Sequence, residues 1–245
     1  MLEIQGLASG YGESMVLRDV SLKVYPGQVV CLMGRNGVGK TTLLKSIMGV
    51  LPAKSGTVRY AGKELTKLPP DRRARAGIGY VPQGRDVFAQ LTVEENLLLG
   101  LEALASGAAS APGRGWLGAG RRRSVPEEVL DTFPVLREFL RRRGGDLSGG
   151  QQQQLAIARA LAAKPSLLLL DEPMEGIQPS VVQLIEDVIA SIKASRTTSV
   201  LLVEQSLEFA TNIADYYYVL DKGTIVAQGS SAELSAEDVR QHLTV

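Results

Sequence analysis

Residues 34–41 read Gly-Arg-Asn-Gly-Val-Gly-Lys-Thr, and no other segment limits the possible folds as much. It follows an apolar run at residues 28–33 and precedes a helical pattern from Lys40 to about Met48. Three glycines in a strand-to-helix connection let backbone N–H groups close around an anion, and the helix N-terminus adds its positive end. A glycine turn before a helix also arises by chance, but the lysine–threonine pair at the helix start argues against chance here. Lys40 is suited to the outer phosphates of a nucleotide, and the Thr41 hydroxyl to Mg²⁺.

The rest of the chain supplies the sheet that such a loop requires. Residues 2–7 and 16–24 alternate apolar and polar side chains, as half-buried strands do. Further strands are expected at 57–60, 78–81, 167–170, 200–203, 216–220 and 224–228. Helices are expected over 93–139, 148–162, 179–194 and 207–214. Strand–helix alternation with continuous apolar strands predicts an α/β fold whose parallel sheet is covered on both faces. Residues 105–124 interrupt the pattern. They are rich in Gly, Ala and Ser and carry Trp116 and three consecutive arginines, Arg121 to Arg123, which reads as a surface loop.

Composition removes several chemistries. Cys31 is the only cysteine and His242, in the tail, the only histidine, which excludes a disulfide framework and a histidine-based site in the body of the chain. Lysine and arginine total 27 against 26 acidic residues, so there is no electrostatic case for nucleic-acid binding. No run is apolar and long enough to cross a bilayer, and residues 1–5 lack a signal-peptide pattern, so a cytoplasmic chain is expected.

Two more motifs carry chemistry. The apolar run 167–170 ends in Asp171-Glu172. Asp171 can hold Mg²⁺ through water, and Glu172 can polarise an attacking water, help typically worth ~10²–10⁴ in rate. Leu147-Ser148-Gly149-Gly150-Gln151 is locally a capping box, in which Ser148 caps a helix and Gln151 reaches back. Its two glycines also leave a helix N-terminus open to an anion.

Taken together, the 34–41 loop, the 147–151 motif and Asp171-Glu172 resemble the ABC ATPase family over nearly the whole chain. The resemblance implies a P-loop (RecA-like) core with an N-terminal antiparallel β portion at about 1–91 and 163–230. It also implies a helical lobe at about 92–162 and a short tail at 231–245. It assigns nucleotide contacts to Gly34, Arg35, Asn36, Gly37, Val38, Gly39, Lys40, Thr41 and Thr42, with Tyr11 stacking on adenine. Mg²⁺ would be held by Thr41, Gln83 and, through water, Asp171. Glu172 becomes the general base, and Gln205 takes the usual switch-histidine position. Residues 147–151 would bind the γ-phosphate held by a second ATP-binding subunit, and residues 175–179 would cross that dimer.

The family also implies permease subunits that span the membrane, a substrate-binding protein acting through them, and a place on the cytoplasmic face of the inner membrane. The four glutamines Gln151 to Gln154, the segment Glu175-Gly176-Ile177-Gln178-Pro179 and Val203-Glu204-Gln205 look like the ATP-binding subunits of urea importers, within the branched-chain amino acid importer group. Urea import is thus the first expectation and branched-chain amino acid import the alternative. A non-transport ATPase is a third reading, although such proteins usually carry tandem cassettes or a coiled-coil insertion. Met174 departs from the family, which usually has Thr or Ser there; a thioether cannot replace a hydroxyl's hydrogen bonds, and this raises a non-hydrolysing module as a further possibility.

Overall fold

The computed structural model describes residues 1–105, 124–205 and 207–233. Trp116, most of the 105–124 segment and His242 lie outside them. The strands are β1 (Leu2–Tyr11), β2 (Ser14–Val24), β3 (Val29–Met33), β4 (Ala53–Tyr60), β5 (Lys63–Glu64), β6 (Ile78–Val81), β7 (Leu167–Asp171), β8 (Ser199–Val203), β9 (Tyr216–Asp221) and β10 (Thr224–Ser230). The helices are α1 (Lys40–Met48), α2 (Pro70–Arg75), α3 (Val93–Ala105), α4 (Glu127–Thr132), α5 (Pro134–Glu138), α6 (Gly149–Ala162), α7 (Pro179–Ser195) and α8 (Leu207–Ile213). The short elements β5 and α2 lack a period long enough to read from sequence. The helical block expected over 93–139 is interrupted among the described residues: 124–126 are not helical, and α4 and α5 meet at Phe133.

Two sheets form. Strands β2-β1-β4-β5 make an antiparallel sheet, and β10-β9-β3-β8-β7-β6 make the larger one. Within the larger sheet β9, β3, β8, β7 and β6 run parallel, while β10 returns antiparallel to β9 at one edge. The expected parallel sheet thus gains one antiparallel strand at that edge, where the two-residue Lys222-Gly223 turn between β9 and β10 admits only an antiparallel hairpin.

Side-chain alternation sorts the central strands between two cores. Leu168, Leu170, Val200 and Leu202 join a cluster with α3, α4, α6 and α7. Leu167, Leu169, Leu201 and Val203 join a second cluster with α1 and the antiparallel sheet. A strand buried on both faces is apolar along its run, as β3 is throughout, β7 from Leu167 to Leu170 and β8 from Val200 to Val203, and each such leucine stabilises the fold by about 1.5–3 kcal/mol. Arg73 is almost fully buried beneath α1. Its guanidinium donates to the carbonyls of Ser46 and Ile47 at 2.8 and 2.7 Å, closing the helix C-terminus, and to those of Thr66 and Leu68.

Register brings the motifs together. Leu32 of β3 and Asp171 of β7 both lie opposite Val203 of β8. The loop after β3, Glu172 and Glu204-Gln205 therefore leave the carboxyl ends of three neighbouring strands, where open α/β sheets place ligands.

Candidate functional site

The loop between β3 and α1 is built on glycines that no other residue could replace without strain. Gly37 and Gly39 have φ of 82° and 115°, and a Cβ on Gly39 would come within 2.9 Å of Leu17. No acidic residue occupies the first turn of α1 and no side chain caps it, so its backbone donors remain available to an anion. Val38 packs against the core beside the antiparallel sheet, and Thr42 is buried.

Lys40 is 5% exposed. Its ammonium donates to the carbonyls of Gly34 and Arg35 at 2.8 and 3.0 Å and pairs with Glu172 Oε1 at 3.2 Å. Glu172 is the hub of the site. Gln83 Nε2 donates to its Oε2 at 3.0 Å, and Gln205 Nε2 to its Oε1 at 3.1 Å. The Gln205 amide also reaches Asn36 Oδ1 at 2.7 Å, and the Gln83 amide reaches Glu175 at 2.7 Å. Glu172 has φ of 48°, a left-handed backbone that costs a non-glycine residue about 1–3 kcal/mol. Such strain persists where the surroundings fix it; here the Glu172 N–H donates to the Val203 carbonyl at 3.1 Å.

Asp171 lies directly beneath. The Thr41 hydroxyl donates to its Oδ1 at 3.2 Å, while its Oδ2 is buried without a protein partner. Burial, and then the charge of Glu172, raise its pKa above the ordinary aspartate value, against the opposing pull of Thr41 and Lys40. A buried carboxylate oxygen with no donor, next to a threonine hydroxyl, suits a hard cation. The residues therefore fit Mg²⁺, with Thr41 and Asp171 as its protein groups. The hydrogen bonds of Gln83 run to Glu172 and Glu175.

The other expected residues lie around this centre. Tyr11, at the end of β1, leaves half its surface exposed. Ser148 caps α6 through the expected capping box: Gln151 N donates to Ser148 Oγ at 3.4 Å and Ser148 N to Gln151 Oε1 at 2.9 Å. Leu147 is buried beneath it. Gly149 faces the Arg85 guanidinium, which any Cβ there would strike, and Gly150 faces Val181 of α7. Arg85 also donates to the Gly176 carbonyl at 3.3 Å. Met174 packs against the cluster that contains α6 and α7.

One residue of the site was not among those expected to act there, although it lies inside the Val203-Glu204-Gln205 segment. Glu204 follows β8, is 8% exposed, and accepts from the Gln205 N–H at 3.3 Å. Burial pushes its carboxyl up to about 7; the Gln205 and Met174 N–H groups and Lys40 oppose this, and Glu172 adds to it. The signal that could have found it is an ionisable residue that ends a continuous apolar strand, Val200 to Val203, directly before Gln205.

A second surface feature is an open groove of about 490 Å³ lined by Met48, Val50, Tyr80, Phe88, Leu99 and Arg159. Phe88, Val50 and Leu99 are exposed, and the Arg159 guanidinium lies 5.0 Å from the Phe88 ring centre. Among the described residues no helix is long and apolar enough to cross a membrane.

Comparison with known proteins gives a consistent result. The family profile described as ABC transporter matches residues 17–175. The chain is 42% identical over 235 residues to the high-affinity branched-chain amino acid transport ATP-binding protein BraG of Pseudomonas aeruginosa, covering 96% of this chain and 94% of that protein. It is 38% identical over 237 residues to a probable branched-chain amino acid transport ATP-binding protein, LivF, of Archaeoglobus fulgidus, again covering 96% and 94%. Among solved structures, a dimeric post-hydrolysis state of an ATP-binding cassette bound to ADP and phosphate superposes with a TM-score of 0.79 at 25% identity, covering 94% of this chain and 99% of that one.

Proposed function

The chain belongs to the ABC transporter family as an ATP-hydrolysing, ATP-binding subunit, and from that premise we propose that it powers the import of branched-chain amino acids. The observation that carries the catalytic part is the convergence of Lys40, Gln83 and Gln205 on the buried carboxylate of Glu172. Residues 34–42 cradle the phosphates, Lys40 neutralises the outermost one, and Tyr11 stacks on the base, worth roughly 1–3 kcal/mol. Glu172 takes the proton of the attacking water, and Gln205 orients that water without carrying a proton itself. When bound, Mg²⁺ neutralises phosphate charge; Thr41, Asp171 and Gln83 are the residues to hold it.

Hydrolysis is the property of a dimer. The hydrogen bonds of Ser148 and Gln151 close on each other, and those of residues 147–151 do not reach residues 34–42 among the described residues. Their open helix N-terminus is thus offered to a neighbour's γ-phosphate, and residues 175–179 cross between the subunits. Residues 92–162 form the helical lobe and residues 1–91 and 163–230 the nucleotide core. Permease subunits engage the groove at Phe88 and Leu99, and a substrate-binding protein delivers cargo to them. The chain works at the cytoplasmic face of the inner membrane.

The substrate does not touch this chain, so its identity rests on likeness. The relatives named for branched-chain amino acid transport favour that cargo over urea. The Gln151 to Gln154 run and Glu175 to Pro179 are what support urea as the second reading. Co-purification with the permease subunits, then ATPase measurement in vesicles with leucine or urea and the binding protein, separates them. Stimulation by leucine supports the first reading; stimulation by urea alone overturns it, and no association with a permease overturns both.

A further inference from the structure

Glu204 is an expensive residue to keep. A carboxylate with one oxygen buried and unpartnered costs more than an apolar or amide side chain of the same size. Its position explains what it does. Its N–H donates to the Leu32 carbonyl at the end of β3, just before the phosphate loop, at 3.3 Å. Its Oε2 accepts from the Gln205 N–H at 3.3 Å, and the Met174 backbone amide faces the same carboxyl group. Met174 has no side-chain hydrogen-bond donor of its own to fix the backbone after Glu172.

We propose that Glu204 is a positioning residue for hydrolysis, its buried carboxyl group holding the Gln205 N–H beside the loop after β7 so that the Glu172 and Gln205 side chains keep their mutual geometry. This rests on the reading of Glu172 and Gln205 given above. The tie is strongest when the carboxyl group is ionised, because a charged acceptor holds N–H donors more tightly than a neutral one. The groups facing it are Glu172 and the Met174 amide on the loop after β7, Lys40 at the start of α1, Cys31 on β3 and the Gln205 amide. Of these Glu172 opposes ionisation, Lys40 and the two amides favour it, and the buried Cys31 thiol stays protonated, its own titration pushed far up by burial. The carboxyl group itself changes charge near neutrality. Hydrolysis therefore acquires a limb near pH 7 that owes nothing to histidine.

The test is steady-state ATPase of the full chain between pH 6 and 9 for the wild type, E204Q and E204L, with thermal melting to confirm folding. E204Q keeps the shape and a neutral acceptor. It is expected to keep KM for MgATP within about threefold, lose about tenfold in kcat at pH 8, and show no limb near pH 7. E204L should be at least as slow and equally flat, and it carries the comparison if E204Q does not fold. The double variant E204Q/Q205A should be little slower than the slower single variant, since residues that act as a unit are not additive. Wild-type kcat and an unchanged limb in E204Q overturn the proposal, as does full additivity in the double variant. K40A and E172Q run alongside: if they hydrolyse ATP normally, the site reading itself has failed, whatever Glu204 does.

Discussion

The ammonium of Lys40 stands 3.2 Å from a carboxylate oxygen of Glu172, and both side chains are more than nine-tenths buried. In the proposed reading, the cation for the phosphate and the base for its attacking water are thus partners of one another. On that reading, nucleotide in the loop is expected to exchange this ion pair for a phosphate contact and so release Glu172 to act as base. The first three predictions follow from this pair and its neighbours.

Glu172→Gln should hydrolyse ATP at least ~10²-fold more slowly, since glutamine keeps the shape but cannot take a proton. It should also bind MgATP more tightly than the wild type, because Lys40 no longer has an anionic competitor for the phosphate. Single-turnover hydrolysis and equilibrium binding of a fluorescent ATP analogue measure the two effects, and ATP-dependent dimers should accumulate on size exclusion. Weaker binding would contradict the exchange.

Lys40→Ala should abolish turnover and most MgATP affinity. The phosphate loses its main cationic partner, and Glu172 loses its ion pair but keeps its hydrogen bonds from Gln83 and Gln205. The protein should therefore stay folded, as circular dichroism can check, while isothermal titration shows little or no heat with MgATP. Wild-type turnover in this variant is the contrary result.

Glu204 makes stability depend on pH in a defined direction. Its folded pKa is raised from 4.5 to about 7, so the folded chain holds the proton more tightly than the unfolded one between those values. The contribution is fully present below about pH 4.5 and is lost as pH rises through 7. A shift of this size corresponds to about 3 kcal/mol at most. Glu204→Gln should accordingly raise the melting temperature at pH 8 and change it little at pH 5. A lower melting temperature at pH 8 would show that the contacts of the ionised group outweigh the cost of burying it.

Two defective chains should share one working site. Lys40→Ala removes the phosphate grip, and Ser148→Arg blocks the N-terminus of α6, so a mixed dimer retains at most one intact composite site. Mixing the two should restore partial activity, above either alone and below wild type. Full activity from Ser148→Arg alone, measured at dilutions where only monomer is present, would contradict a shared site.

Met174→Thr tests the departure from the usual hydroxyl. The Met174 side chain packs into the α6–α7 cluster, so the change removes apolar contact there and adds a hydroxyl. It should alter the hydrolysis rate or the ATP-bound dimer fraction. Equality with the parent in both assays marks the position as neutral.

The sequence by itself determined the chemistry that depends on local order. The 34–41 loop, the Ser148–Gln151 capping box and the apolar strand ending in Asp171-Glu172 are each set by spacing within a few residues, and the structure forms each of them. Tertiary structure decided what long-range register controls. It placed β8 between β3 and β7, so that Val203 lies opposite both Leu32 and Asp171 and brings Gln205 to Glu172 across 33 residues of chain. It turned Glu204 from one acidic residue among 26 into a buried group that titrates near neutrality, because desolvation is a property of everything packed around a side chain. It paired Lys40 with Glu172, and it left β5 and α2 to form from contacts alone, their lengths being too short for any periodicity to declare them.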